Sequence, residues 1–121
     1  MTLLESGEMY LETILILSRE SGFVRAVDIG DYMGYSKPSV CRAVGLLKKD
    51  GYLTMAADGV LTLTDVGCTT AKKIFERHTV LSRFLALIGV DGETAAKDAC
   101  KMEHVVSDQT IAAIKDFMDK K

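Results

Sequence analysis

The sequence predicts a mostly α-helical chain in which an N-terminal winged helix-turn-helix precedes a helical dimerisation domain. Three observations support this fold class: helical periodicity in most of the chain, a tight glycine-containing turn between two early helices, and an Asp-Gly hairpin motif near the middle. With 121 residues, 48% of them apolar and 26% charged, the chain suits one compact domain or two small helical subdomains. This composition excludes a disordered chain, and the length excludes a typical multidomain enzyme.

Periodicity and glycine stops divide the first half into five elements, namely helices over residues 6–21, 26–33 and 36–50 and strands over 52–55 and 60–63. Ser36 is predicted to cap the third helix, and Pro38 falls in its first turn, where a missing N–H costs little. Two helices joined by a tight turn and followed by a hairpin have the order of a winged helix-turn-helix. We assign residues 1–64 to this DNA-binding domain.

Three helices are predicted in the second half, over about residues 64–88, 91–106 and from 107 to near the C terminus, with Thr64, Asp91 and Ser107 as their caps. The apolar side of the long helix advances in alternating steps of three and four residues, through Ala71, Ile74, His78, Leu81, Leu85 and Ile88. Such a seam resembles a short coiled coil and suits packing on another helix or subunit. We assign residues 65–121 to a helical metal-binding and dimerisation domain.

The net charge of −2, from 15 Lys and Arg against 17 Asp and Glu, argues at first against a nucleic-acid partner. However, residues 34–49 hold four basic residues and no acidic residue. Residues near the start of a recognition helix meet base edges, and those farther along suit phosphates. The predicted DNA contacts are Lys37, Pro38, Ser39, Arg42, Lys48 and Lys49. The alternative is an ordinary solvated helix surface. The wing turn, residues 56–59, has no Lys or Arg, so its contribution to DNA binding stays open.

A second group of residues has the chemistry of a metal site. Cys100, Glu103 and His104 have the spacing i, i+3, i+4, which places them on one face of a helix. Thioether, thiolate, carboxylate and imidazole donors together can bind a divalent transition metal. The candidate ligands are Met9, Glu12, His78, Cys100, Glu103 and His104. Each also has an ordinary structural interpretation, such as a core methionine, a hydrogen-bonded core histidine or a solvated glutamate.

Several segments in order along almost the whole chain resemble the diphtheria-toxin-repressor family of metal-dependent repressors, which includes the manganese-transport regulators. The segments are Glu8-Met9-Tyr10-Leu11-Glu12-Thr13-Ile14, Ser36-Lys37-Pro38-Ser39-Val40, Leu61-Thr62-Leu63-Thr64-Asp65-Val66-Gly67, Arg77-His78, Ile88-Gly89-Val90-Asp91 and Cys100-Lys101-Met102-Glu103-His104. The resemblance implies a winged-helix repressor with a helical dimerisation domain and with metal bound between the two.

The resemblance also implies particular metal ligands. The residues that match the regulatory site of the iron-responsive branch are Met9, Cys100, Glu103 and His104, whereas Glu12 and His78 match ligands of the manganese branch. An ancillary site of the iron branch would need a Glu and a His where this chain has Ser82 and Ala96, so we expect that site to be absent. We expect the short form of the family, without the C-terminal SH3-like domain.

These observations lead to one functional expectation and one alternative. We expect a cytoplasmic homodimeric repressor of metal-homeostasis genes that binds a palindromic or pseudo-palindromic DNA operator, with no enzymatic activity and no membrane segment. Sulfur donors favour Fe²⁺ over Mn²⁺ as effector, with Zn²⁺, Co²⁺ or Ni²⁺ able to substitute. The alternative is a metal-independent winged-helix redox sensor acting through Cys41 or Cys100, although three widely spaced cysteines indicate a reducing cytoplasm rather than a disulfide framework.

Overall fold

The computed structural model describes residues 5–120, and the chain divides into two compact units between residues 72 and 73, inside its fourth helix. The described residues form six helices and one two-stranded antiparallel hairpin, which confirms the mostly α-helical fold class. None of the described helices is both long and apolar enough to cross a membrane. We describe each unit by itself.

The first unit has the predicted order of three helices and a hairpin: α1 (Glu5–Ser21), α2 (Ala26–Met33), α3 (Lys37–Lys49), β1 (Leu53–Met55) and β2 (Leu61–Leu63). Each strand begins one residue later than its sequence pattern predicts. Apolar side chains from all five elements are fully or almost fully buried, among them Leu11, Ile14, Ile29, Val40, Val44, Leu53 and Leu61. This core holds α3 by its apolar side and leaves its polar side in solvent.

The hairpin is joined to the helices by its backbone. Leu53 pairs with Leu63 and Met55 with Leu61, and the Leu61 N–H also donates to the carbonyl of Val24 at 2.7 Å. The turn closes where the Ala56 N–H donates to the carbonyl of Val60 at 2.9 Å. This arrangement places the wing turn beside the loop that precedes α2.

Helix α4 (Asp65–Leu87) starts with the predicted Thr64 cap, whose Oγ1 accepts from the Gly67 N–H at 3.1 Å. A Cβ atom at residue 67 would stand 1.8 Å from the carbonyl oxygen of Tyr52. Only glycine therefore allows the first turn of α4 to approach the end of the segment before β1 so closely. The motif Thr64-Asp65-Val66-Gly67 is thus explained by a cap and a close backbone contact.

The second unit consists of the remainder of α4 with α5 (Gly92–Met102) and α6 (Asp108–Asp119). The predicted caps are confirmed, since Asp91 accepts from the Thr94 N–H at 3.3 Å and Ser107 from the Thr110 N–H at 3.2 Å. The core of this unit contains the buried residues Val80, Leu81, Ala99 and Ile111, against which Met102, Val106, Ile114 and Met118 pack.

The prediction that α5 continues to about residue 106 is wrong, because the helix ends at Met102. The N–H groups of Val105 and Val106 both donate to the carbonyl of Met102, at 3.0 and 3.1 Å, and this closes a turn. Glu103 retains helical dihedral angles, φ −59° and ψ −23°, whereas His104 lies within the turn. The three candidate ligands at the end of α5 therefore do not all lie on one helix.

Candidate nucleic-acid interface and metal centre

The basic side chains of α3 are exposed to solvent. The residues that the sequence predicts to contact DNA all lie on this helix and are all exposed, namely Lys37, Pro38, Ser39, Arg42, Lys48 and Lys49. None of its four cations forms an ion pair with another described residue. Their charge is therefore available to an external polyanion, as phosphate contacts require.

The start of α3 has the geometry of a helix-turn-helix. Gly34 ends α2 in a left-handed conformation, φ +74°, and its N–H donates to the carbonyl of Gly30 at 2.8 Å. Ser36 then caps α3 by accepting from the Ser39 N–H at 3.4 Å. The helix N-terminus and Lys37 thus lie together at an exposed end, where backbone N–H groups and the helix dipole favour an anion.

An arginine from outside the wing turn contacts it. The Nε of Arg25, in the loop before α2, donates to the carbonyl of Asp58 at 3.2 Å, and its Nη2 lies 3.7 Å from the Asp58 carboxylate. Sequence reasoning missed Arg25 because 33 residues separate it from Asp58. The base-free wing turn is therefore fixed to the helical part of the first unit by an arginine.

In the second unit, two imidazoles flank one buried carboxylate. The His78 Nδ1 on α4 lies 3.0 Å from the Glu103 Oε2, and the His104 Nε2 lies 3.3 Å from the Glu103 Oε1. The side chains of Glu103 and His104 are fully buried, whereas that of His78 is 30% exposed. The structure thus brings together three of the six candidate ligands from two elements of one unit.

The carboxylate of Glu103 fits the requirements of a metal ligand. Its Oε1 is buried and accepts no hydrogen bond from the described residues, because the His104 Nε2 at 3.3 Å lacks hydrogen-bond geometry, although an ionised carboxylate oxygen readily accepts more than one. Burying such an oxygen without compensation is costly. Ligand atoms at about 2.1 Å from one transition metal ion lie roughly 3.0 to 3.4 Å apart, and each imidazole nitrogen lies at such a distance from a Glu103 oxygen.

The remaining candidate ligands are on two helices. Cys100 is half-buried on α5, one helical turn before Glu103, so the two side chains leave the helix on the same side. Met9 and Glu12 lie one turn apart on α1, in the first unit, where Met9 is half-buried and Glu12 is largely buried. Because they are three residues apart, the side chains of Met9 and Glu12 lie on the same face of α1.

Arg77 is a structural neighbour of the candidate centre that periodicity did not single out. Its Nη1 donates to the carbonyl of Glu103 at 2.8 Å, and its Nη2 donates to the carbonyl of Val106. Both acceptors lie beyond the end of α5, where carbonyls lack partners within the helix, so the guanidinium stabilises the turn that follows it. The only signal in the sequence is the position of Arg77 directly before His78.

Two domains of one protein family match the chain in sequence. The N-terminal DNA-binding domain of iron-dependent repressors matches residues 2–61, and the metal-binding and dimerisation domain of iron-dependent repressors matches residues 64–121. Together the two matches cover nearly the whole chain.

Individual relatives agree with these matches. The chain is 36% identical over 113 residues to the transcriptional regulator MntR of Lysinibacillus sphaericus, covering 93% of this chain and 81% of the relative. It is 33% identical over 108 residues to the diphtheria toxin repressor of Corynebacterium diphtheriae, covering 88% of this chain and 48% of the relative.

A solved structure shows the same fold. The structure of the manganese regulator SloR superposes with a TM-score of 0.84 at 24% identity and covers 100% of this chain and 56% of that one. The chain therefore spans about half the length of SloR and of the diphtheria toxin repressor. None of these relatives supports the alternative of a redox sensor acting through Cys41 or Cys100.

Proposed function

The chain belongs to the iron-dependent repressor family of metal-dependent, DNA-binding transcriptional regulators, and we propose that it represses metal-homeostasis genes when a divalent transition metal is bound. Members of this family are transcriptional regulators and not enzymes. The observation that carries the proposal is the buried Glu103 carboxylate, which is flanked by His78 and His104 and keeps one oxygen without a hydrogen-bond partner among the described residues.

The proposed DNA interface is the exposed side of α3. Lys37, Ser39 and Arg42 would reach base edges from its N-terminal half, and Lys48 and Lys49 would contact phosphates. Two such helices in a symmetric dimer would read half-sites about one DNA turn, roughly 34 Å, or a multiple of it apart. The expected operator is therefore palindromic or pseudo-palindromic, and the protein would act on it in the cytoplasm.

An apolar surface of the second unit supports the homodimer. The rings of Phe84 on α4 and Phe117 on α6 meet edge to face, with centroids 6.3 Å apart, and Phe117 is 49% exposed. Leu87 and Ile88 at the end of α4 are also exposed. Contiguous exposed apolar side chains commonly mark protein interfaces, so we assign dimerisation to this surface and residues 65–121 to the domain that contains it.

We assign six residues as metal ligands: Met9, Glu12, His78, Cys100, Glu103 and His104. A bound divalent cation would supply positive charge to Glu103 and lower the cost of burying its Oε1, which accepts no hydrogen bond from the described residues. Met9 and Glu12 belong to the same unit as α3, so ligation by these residues would connect the metal state to the DNA-binding unit. Such coupling between two ligands is commonly worth about 1 to 3 kcal/mol.

Sulfur donors are the basis for proposing Fe²⁺ as the effector. A thiolate from Cys100 and a thioether from Met9 are softer than the carboxylates and waters that suit Mn²⁺. Zn²⁺, Co²⁺ or Ni²⁺ would be accepted by the same set of ligands. The relatives themselves are named for both metals, since they include a manganese regulator, SloR, and a family of iron-dependent repressors.

The experiment is an operator-binding titration under anaerobic, reducing conditions at one stated salt concentration, because phosphate contacts make the affinity depend on salt. Fluorescence anisotropy of a labelled duplex from the promoter region of its own operon would be followed against Fe²⁺, Mn²⁺, Zn²⁺ and a chelator. We expect the chelator to release DNA and Fe²⁺ to act at lower free concentration than Mn²⁺. Binding that resists the chelator but is lost with diamide would instead favour the redox alternative, and tighter coupling to Mn²⁺ would overturn the choice of metal.

A further inference from the structure

The guanidinium of Arg77 is held at the turn that contains two of the proposed metal ligands. Its side chain is only 13% exposed, and it lies on α4 directly before His78. It donates to the carbonyls of Glu103 and Val106, which stand on either side of His104. One side chain therefore fixes the backbone before and after a ligand-bearing turn.

Within its own backbone, this turn is closed by the hydrogen bonds from the Val105 and Val106 N–H groups to the carbonyl of Met102. The helical ladder of α5 ends with the hydrogen bond from the Glu103 N–H to the carbonyl of Ala99, at 2.9 Å. Beyond it, the last carbonyls of a helix lack partners within the helix. Arg77 provides such a partner to Glu103 from 26 positions earlier in the chain. Without it, the backbone carbonyls on either side of His104 would lose their hydrogen bonds from α4.

The orientation of the guanidinium is itself fixed. Asp108, the first residue of α6, lies 3.3 Å from the Arg77 Nη2 and 3.2 Å from the Nζ of Lys73, one turn earlier on α4. A planar guanidinium donates to several acceptors in fixed directions, whereas the three donors of a lysine ammonium share one nitrogen and cannot span separated acceptors. The Nη1 and Nη2 groups are therefore matched to the two carbonyls and the carboxylate around them, while the buried Nε has no hydrogen-bond partner among the described residues.

We propose that Arg77 is a positioning residue of the metal centre, holding Glu103 and His104 in the geometry for ligation while its neighbour His78 supplies a ligand from the same helical turn. This inference rests on the proposed metal-binding function. It differs from a general stabilising role for Arg77. A positioning role requires that loss of Arg77 lowers metal affinity and alters the coordination geometry, whereas an equal loss of stability elsewhere in the unit does not.

The test measures Co²⁺ binding to the full chain under reducing conditions, by the ligand-field absorption of the ion in Arg77→Met, Arg77→Lys and wild-type protein. Loss of a residue that orients ligands typically lowers metal affinity about 10- to 100-fold. We expect a loss in this range for Arg77→Met together with an altered absorption spectrum. Arg77→Lys should recover only part of the affinity, since it retains the charge without the forked donors.

Two control variants separate positioning from stability. Lys115→Met removes the ion pair between Lys115 and Glu76, which also joins α6 to α4 but touches neither the turn nor a ligand. Ile111→Val weakens the buried core of the same unit without changing a polar contact. Both should bind Co²⁺ as the wild type does, with an unchanged spectrum, even where their melting temperatures fall.

The outcomes distinguish the two levels of the proposal. If wild-type protein binds Co²⁺ and Arg77→Met retains its affinity and spectrum, or loses no more affinity than Ile111→Val, the positioning role is overturned and the metal centre stands. If the wild type itself binds no Co²⁺, the proposed metal function fails, and the positioning role fails with it.

Discussion

Along α3 of the first unit, the cations proposed to contact DNA stand in solvent and pair with none of the described residues, whereas in the second unit the proposed metal ligands Glu103 and His104 have no exposed side-chain surface. The cations of α3 suit an anionic partner, and the buried carboxylate of Glu103 suits a cation. The exposed cations are hydrated, so their charge is stabilised by water even when no polyanion is bound. The carboxylate of Glu103 is fully buried, so water does not stabilise its charge in the same way.

The difference indicates what each unit requires from its partner. Binding by α3 depends on many weak contacts with a long, charged surface and is sensitive to salt. The centre around Glu103 depends on a few short contacts in a water-poor environment, where electrostatic interactions are stronger and are screened less. We therefore expect the first unit to bind an extended polyanion and the second unit to bind a single metal ion. Three substitutions test this contrast.

The substitution expected to abolish the whole response to metal is Glu103→Gln. Glutamine keeps the size of the side chain and an oxygen for His78 but lacks the charge that would bind a cation. We expect metal to no longer raise operator affinity, a loss of about 5- to 150-fold relative to the metal-loaded wild type. The affinity would be measured by anisotropy with and without Fe²⁺, after circular dichroism has confirmed an unchanged helix content.

Glu93→Gln provides the matched control for this substitution. Glu93 also lies on α5, but its side chain is 78% exposed and forms an ion pair with Lys97, four residues later. It should keep the full response to metal. An equal metal response in Glu103→Gln and wild type would show that the buried carboxylate is not a ligand.

The same contrast explains how much of the molecule could be predicted from its sequence. The helices, the hairpin and the caps at Thr64, Asp91 and Ser107 follow from local patterns, and the structure confirms them. The exposure of Lys37 and Arg42 on α3 follows from the same periodicity, because a helix buries one side only. Local rules are sufficient for the first unit's proposed interface.

Local rules fail where distant residues determine the backbone. At the end of α5, Arg77 on α4 donates hydrogen bonds to the carbonyls of Glu103 and Val106, and the local sequence of residues 103–106 does not predict these contacts. Arg25 reaches the wing turn across 33 positions for the same reason. The spacing of Cys100, Glu103 and His104 identified the residues of the candidate centre, but the turn that orients His104 required the tertiary structure.

The second substitution, Arg42→Ala, tests whether α3 reads bases as well as phosphates. Arg42 is exposed in the N-terminal half of α3, where a guanidinium can bridge two acceptors of guanine. We expect a cost of about 1 to 3 kcal/mol on the specific operator and a smaller cost on random DNA of equal length. Arg83→Ala, which removes an exposed arginine from α4, should change neither affinity. Equal losses on both duplexes would reduce Arg42 to a phosphate contact.

The smallest effect is expected for Lys48→Ala, and its measurement is a slope rather than an affinity. Lys48 is exposed in the last turn of α3, so its proposed contact is one phosphate. Because the proposed dimer carries two copies of Lys48, losing one phosphate contact per subunit should reduce the slope of log affinity against log salt by about 1.8 on specific and random DNA alike. Lys97→Ala, on α5, should leave the slope unchanged, since Lys97 is paired with Glu93 in the other unit. In neither variant should Fe²⁺ affinity depend strongly on salt, because a buried centre is screened little. A slope unaffected by Lys48→Ala would limit the DNA surface to the start of α3.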